Sequence, residues 1–311
     1  MLALSKCRLQ SVAAAGGRGF FFVRSGTRPL RRALLLACAF LLSVATSLAA
    51  ADPDEVAAQI AGRVVFVPMR LNGHGPFQFI VDTGATETIV TPSTAATAGI
   101  ATIPYPGVQK KGVVSSLAVG RASVTNLPVF LFDPPQALSL RLDEGINYGG
   151  ILGYTFLSRF VTTIDYSRRM VRFQLPSAVA DPKASATGFT VPFRLVDRLI
   201  HVSGKVNRTG PVTFLWDTGS AEVVIVPPMA AQLKLKSVPL SSCPGAGLAM
   251  LDQVAIGDAT ASQLSAIIYR PPGERIAGTS YDGIVGYPFL SGFVVTIRYD
   301  KSSIHLLPNK Q

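Results

Sequence analysis

Cysteine and histidine are almost missing from this chain of 311 residues: there are three of each, and a single tryptophan. Two of the cysteines, Cys7 and Cys38, fall in a leader-like N-terminal stretch. Its removal leaves Cys243 alone, with no partner for an internal disulfide. The remaining length, roughly 260 residues, is enough to bury a core without covalent staples. His74, His201 and His305 stand far apart and match no metal-ligand spacing, so neither a metal nor another cofactor is expected. Charge is also scarce, with Asp, Glu, Lys and Arg making up 15%. The first 51 positions hold no acid at all, only Lys6, Arg8, Arg18, Arg24, Arg28, Arg31 and Arg32. Without these seven, the net charge of +11 falls to +4. No basic cluster interleaved with aromatics is left, which excludes the usual footprint of a nucleic-acid binder.

What the first 51 residues do contain is ordered. A basic segment leads into a weakly polar run from Ala33 to Ala51, which ends in the small residues Ala49-Ala50-Ala51. That order predicts a signal peptide over residues 1–51 and an exported protein, periplasmic or secreted. The alternative is an uncleaved anchor, because the run reaches the lower edge of a membrane-spanning length. On that reading the leader is the chain's one membrane contact.

The rest of the chain repeats itself. Asp82-Thr83-Gly84 recurs as Asp217-Thr218-Gly219, an offset of 135, each copy after an apolar run, Phe79-Ile80-Val81 and Phe214-Leu215-Trp216. Residues 150–166 align with 283–299 at an offset of 133, and 12 of those 17 positions are identical. Each Asp-Thr-Gly thus has its own downstream apolar-apolar-Gly, Ile151-Leu152-Gly153 or Ile284-Val285-Gly286. The predicted domains are 52–180 and 181–311, joined through an Ala-, Ser-, Pro- and Gly-rich linker over 177–188.

Both copies read as all-β. Short segments rich in Val, Ile, Phe and Thr recur every 8–12 residues or so between Gly, Pro and Asn breaks. They are 64–70, 77–81, 88–91, 117–119, 129–132 and 161–165 in the first copy. In the second they are 199–206, 212–216, 223–226, 254–256, 267–269 and 294–299. Helix is expected only at 93–98, 154–158, 228–233 and 287–291. The pattern predicts two small β domains side by side, their loops facing each other.

Two carboxylates on equivalent loops of a duplicated unit suit a shared-proton acid/base pair. With these motifs the chain resembles the retropepsin-like aspartic peptidases, in the single-chain, two-lobe form of bacterial exported proteins. The resemblance implies two tandem β-barrel lobes with the active site at their interface. It makes Asp82 and Asp217 the catalytic residues. Thr83 and Thr218 interlock the loops, Gly84 and Gly219 allow their tight turns, and Ala85 and Ser220 complete them. Gly153 and Gly286 serve as packing positions. The implied partner is an extended peptide or protein substrate, acted on by a monomer. A non-catalytic peptide-binding protein that kept the fold is the alternative. Lid hairpins correspond to 106–115 and 243–250, and terminal segments near 63–69 and 303–307 would pair between lobes.

Further expectations concern single residues. Glu87 and Glu222, in equivalent places after the loops, read as solvated strand charges. Trp216 reads as core. Asp165 has Arg298 as its counterpart, and Gly149 has Asp282. The Ser220 hydroxyl, which Ala85 lacks, is expected to donate to Asp217, lower its pKa and leave the shared proton on Asp82. The expected pH optimum is mildly acidic, roughly pH 4–6.

Overall fold

The computed structural model describes residues 54–106, 108–132, 145–180, 188–241, 243–269 and 281–309. The signal-peptide expectation for 1–51 falls outside them, as does most of the linker. The described part of the first copy runs β1 (Glu55–Ala57), β2 (Gln59–Ala61), β3 (Val64–Leu71), β4 (His74–Val81), β5 (Ile89–Val90), α1 (Pro92–Thr97), β6 (Thr102–Tyr105), β7 (Val108–Val119), β8 (Ala122–Leu131), β9 (Tyr148–Leu152), α2 (Tyr154–Leu157), β10 (Val161–Asp165) and β11 (Met170–Gln174). The second runs β12 (Phe189–Pro192), β13 (Arg194–Val196), β14 (Leu199–Val206), β15 (Thr209–Trp216), β16 (Val223–Ile225), α3 (Pro227–Gln232), β17 (Val238–Pro239), β18 (Gly247–Ile256), β19 (Ala259–Ile268), β20 (Gly283–Val285), α4 (Tyr287–Leu290), β21 (Phe293–Arg298) and β22 (Ser303–Pro308). All four expected helices are present as short elements. The expected strands are present too, several of them longer than the apolar core of the pattern suggested.

Each copy closes into a barrel. Strands pair in the order β3-β4-β9-β5-β8-β7, and β7 returns to β3. The second copy repeats this as β14-β15-β20-β16-β19-β18, closed by β14–β18. Closure removes the sheet edges and turns alternate side chains inward. Hence β8 alternates, with Ala122, Val124, Leu127, Val129 and Leu131 buried, except for one shift of parity at the exposed pair Thr125-Asn126, where Asn126 has φ 53°. Strands β4 and β15, which lead to the Asp-Thr-Gly loops, are buried on both faces at their ends. Phe79, Phe214 and Trp216 are fully covered there, and Trp216 meets Phe289 edge-on at 6.2 Å, as a core tryptophan should.

A third, six-stranded sheet joins the lobes in the order β1-β11-β10-β21-β22-β12. The order is palindromic about a pseudo-twofold axis. Thr163 and Thr296, equivalent residues of the two copies, face each other across β10–β21, and their hydroxyls are 3.0 Å apart. This corrects the expectation that terminal segments join the lobes. Residues 63–69 belong to the first barrel. Residues 303–307 do lie in the sheet, but pair with β21 and β12 of their own lobe. Within this sheet, the strand pairing that crosses between lobes is that of β10 with β21, because both sit next to the axis.

Two departures between the copies have local explanations. Arg298 is almost fully buried and bonds Asp300 and the carbonyls of Val179 and Ala180, so it ties the linker down. Its counterpart Asp165 instead caps the turn before β11, accepting from Ser167 and Arg168. A Cβ on Gly149 would come within 2.5 Å of Phe77 and Phe79, whereas the Asp282 carboxylate accepts the Thr213 amide. Cys243 is buried beside Ala246 and Ile267. No helix of the described residues is long and apolar enough to cross a membrane.

Candidate active site

The two Asp-Thr-Gly loops leave β4 and β15 and meet on the pseudo-twofold axis. Four hydrogen bonds lock them together. The Thr83 amide donates to the Thr218 hydroxyl oxygen (3.0 Å), and the Thr83 hydroxyl donates to the Trp216 carbonyl (2.8 Å). Reciprocally, the Thr218 amide donates to Thr83 Oγ1 (3.1 Å) and the Thr218 hydroxyl to the Val81 carbonyl (2.8 Å). The interlock implied for these threonines is therefore present in full. Each loop is also held from below. Asp82 and Asp217 donate their amides to Leu152 and Val285, and the Ala85 and Ser220 carbonyls accept from Tyr154 and Tyr287. Gly153 and Gly286 allow this. A Cβ on Gly153 would strike the Glu87 carbonyl, and one on Gly286 the Glu222 and Ser220 carbonyls.

The interlock brings the carboxylates together. Asp82 and Asp217 are completely buried. Asp82 Oδ1 accepts the Gly84 amide and Asp217 Oδ1 the Gly219 amide, both at 2.8 Å. Glycine is required at 84 and 219 for contact across the interface as well as for the turn. A Cβ on Gly84 would lie 2.5 Å from Asp217 Cγ, and one on Gly219 2.5 Å from Asp82 Cγ. Each Oδ2 is buried without a hydrogen-bond partner among the described residues. Burial first, and then the nearby Asp217 charge, hold the Asp82 carboxyl well above the ordinary range.

The Ser220 expectation is overturned. The Ser220 hydroxyl donates to the Glu222 carbonyl (2.9 Å) and lies 3.5 Å from the Glu222 amide, so it serves its own turn and leaves Asp217 alone. What raises the Asp82 carboxyl is desolvation first and then the opposing Asp217 charge. Ser220→Ala is accordingly expected to leave the alkaline limb of any pH–rate profile within about 0.3 units of wild type. A clear upward shift in that profile would restore a bond from the hydroxyl to the carboxylate.

Several residues around the dyad were not legible as parts of the site. Glu87 and Glu222 are not free strand charges: each is bound by an arginine of the other lobe. Arg63 donates to both oxygens of the nearly buried Glu222 (3.1 and 3.2 Å), and Arg198 pairs with Glu87. Arg63 and Arg198 share the offset of 135, and that was the signal to look for. Two tyrosine pairs cross the interface in the same reciprocal way. Tyr154 meets Tyr299 edge-on at 5.4 Å, and Tyr287 meets Tyr166 at 5.6 Å. Burial raises the hydroxyl pKa of Tyr166 and Tyr299, and of Tyr148 near Asp82. Of the two expected lids, the first, 106–115, falls largely on β7, which pairs with β6. The second corresponds to β17–β18 and the loop between them.

The aspartyl protease family model matches this chain twice, over residues 67–156 and 202–289. The chain belongs to the aspartyl protease family. Each match contains one Asp-Thr-Gly loop and the glycine that packs beneath it, so both lobes carry the family signature and the tandem, two-barrel form follows. No curated protein matches the chain. As in any aspartyl protease built on one chain, both carboxylates here come from a single polypeptide.

Burying two like carboxylates has a cost in stability, and its sign is set. Asp82 has a raised pKa in the fold. Below the ordinary Asp value both folded and unfolded states hold the proton, and nothing is lost. As pH rises above that value the unfolded chain releases its proton while the folded one keeps it. Stability then falls by up to about 1.4 kcal/mol per pH unit until the folded pKa is passed. Asp82→Asn removes this slope. The melting temperature of the variant should match wild type near pH 3.5 and exceed it increasingly as pH rises, until the folded pKa of Asp82 is passed. Parallel curves for the two proteins across that range would show that Asp82 is not strained.

Proposed function

We propose that this protein is an exported aspartic endopeptidase that cleaves extended peptide or protein substrates with a water held between Asp82 and Asp217. The observation that carries the reading is the pair of fully buried carboxylates. Equivalent loops present them, each is pinned at Oδ1 by an amide, and each Oδ2 is buried without a hydrogen-bond partner among the described residues. In the free enzyme the two carboxylates share one proton, which we place on Asp82. Asp217 takes a proton from the water as its oxygen attacks the scissile carbonyl carbon. Asp82 gives its proton to the carbonyl oxygen, and a tetrahedral diol forms. On collapse the C–N bond breaks and the departing amine takes up a proton from the dyad. No bond to the protein forms at any step. A peptide binder without turnover has no use for two buried carboxylates that repel each other.

The lobes supply one aspartate each, so the monomer should be catalytically complete. With no hydroxyl on either outer oxygen, the pair keeps its working proton to higher pH. The optimum is expected near the upper part of the mildly acidic range, about pH 5–6. The test is incubation with a peptide library in water enriched in oxygen-18, with light scattering on the active fraction. Expected results are one labelled oxygen in each new carboxyl terminus, inhibition by a statine-type diol mimic, and no transfer of the acyl group to added amines. Acyl transfer would indicate a covalent intermediate and sink the mechanism. Tight peptide binding without any product would leave the binder.

A further inference from the structure

Exposed apolar side chains are unevenly spread over this molecule. Among the described residues nine large hydrophobics are exposed, and six of them sit on two hairpins. Ile103, Tyr105 and Val113 are on β6–β7, and Val238, Leu248 and Met250 on β17–β18. Val238 is 70% exposed and Met250 58%. The register gathers each set on an outer face. Ile103 pairs with Lys111, two residues before Val113, and Val238 pairs with Leu248, two before Met250. Val114, Ala249 and Leu251, of the opposite parity, fill the barrels. Core packing thus leaves these six unexplained.

Charge is just as uneven. Residues 88–132 and 223–251 hold the two hairpins and contain no Asp or Glu, but they do contain Lys110, Lys111, Arg121, Lys234 and Lys236. The nearest acid downstream of the second hairpin loop is Asp252, at the far end of that stretch. Lys110, Lys234 and Lys236 are exposed, and Lys111 stands 4.3 Å above the Tyr105 ring. The pseudo-twofold that exchanges the lobes also exchanges the hairpins. They therefore stand at equal height along its axis.

We propose that the two hairpins form one docking face for an anionic lipid surface. The apolar side chains enter the headgroup boundary while the lysines meet acidic headgroups. Tyr105, with an apolar ring and a polar tip, suits that boundary. A second copy of this chain fits worse, since it would set lysines against lysines. Membrane contact is then not confined to the leader. The face lies outside the dyad, so this inference stands or falls separately from the proposed hydrolysis.

Hydrogen exchange on the full chain tests it, because exchange reports by segment and separates the hairpins from the leader. The probes are vesicles of phosphatidylcholine, with and without phosphatidylglycerol. Anionic vesicles should slow exchange in 102–115 and 238–250 about fivefold or more, and zwitterionic ones much less. Val113→Ser combined with Met250→Ser should lose that protection. Asp82→Asn should keep it, whatever happens to hydrolysis. Vesicle-bound protein whose hairpins exchange as they do in free protein overturns the proposal, since the leader alone then binds. Protection that grows with protein concentration in the absence of lipid overturns it in favour of a second copy. If Lys111→Gln with Lys236→Gln leaves the preference for anionic vesicles intact, the electrostatic half is wrong.

Discussion

Asp82→Asn and Asp217→Asn should each lower kcat by about 10⁴-fold or more, with little change in KM. Asparagine keeps the size of the side chain and can still accept the Gly84 or Gly219 amide at 2.8 Å, so the loop should survive. What goes is the ability to hold one charge and one proton on adjacent oxygens. An amide neither takes a proton from water nor gives one to a carbonyl at these pH values. Because the two residues act as a unit, the double variant should be no slower than the worse single one. Steady-state rates on a peptide substrate, with circular dichroism as a check on folding, decide the matter. Either single variant keeping more than about a hundredth of wild-type turnover would move the chemistry to another site. The variants also separate catalysis from recognition, since a folded, inactive Asn variant that still binds the diol mimic has lost only the proton chemistry.

How much of this was legible depends on how local each feature is. The Asp-Thr-Gly loops were readable because the motif is short, recurs at a fixed offset and follows an apolar strand each time. The packing roles of Gly153 and Gly286 followed from the family resemblance that this repetition carries. The Ser220 hydroxyl was misread because it had two acceptors in reach. One was a carboxylate three positions back across a turn and the other its own turn's carbonyl at Glu222, and a sequence does not say which geometry the turn adopts. The arginine–glutamate pairs were missed for the opposite reason. Arg63 and Glu222 are 159 positions apart and in different lobes, so nothing local connects them. Glu87 looks like a strand charge until the second barrel is placed against the first. The interlobe sheet was misassigned in the same way. Strand β10 was correctly read as a strand, but that its partner across the axis is β21 follows from the packing of two closed barrels, which no stretch of either strand encodes.

The interlock should prove the most expensive place to remove a single hydroxyl. Thr218→Val keeps the shape and burial of the side chain but deletes both of its bonds. The Thr83 amide loses its acceptor and the Val81 carbonyl its donor, in a region that excludes water. A buried backbone group left unpaired costs about 1–3 kcal/mol, so the variant should lose about 2–5 kcal/mol. That is a large share of a typical folding stability of about 5–15 kcal/mol. Thr218→Ser keeps the hydroxyl and loses only a methyl, about 0.8 kcal/mol. By the pseudo-twofold, Thr83→Val should cost about as much as Thr218→Val, through the Thr218 amide and the Trp216 carbonyl. The four bonds form one network, so the double valine variant should lose less than the sum of the singles. Activity should fall mainly through kcat, since loosened loops let the carboxylates drift apart while the substrate groove persists. Urea unfolding of the valine and serine variants gives the stabilities, and initial rates give the rest. If Thr218→Val proves as stable as Thr218→Ser, the hydroxyl bonds contribute nothing and the lobes are held by the β10–β21 ladder, the arginine–glutamate pairs and the crossed tyrosines.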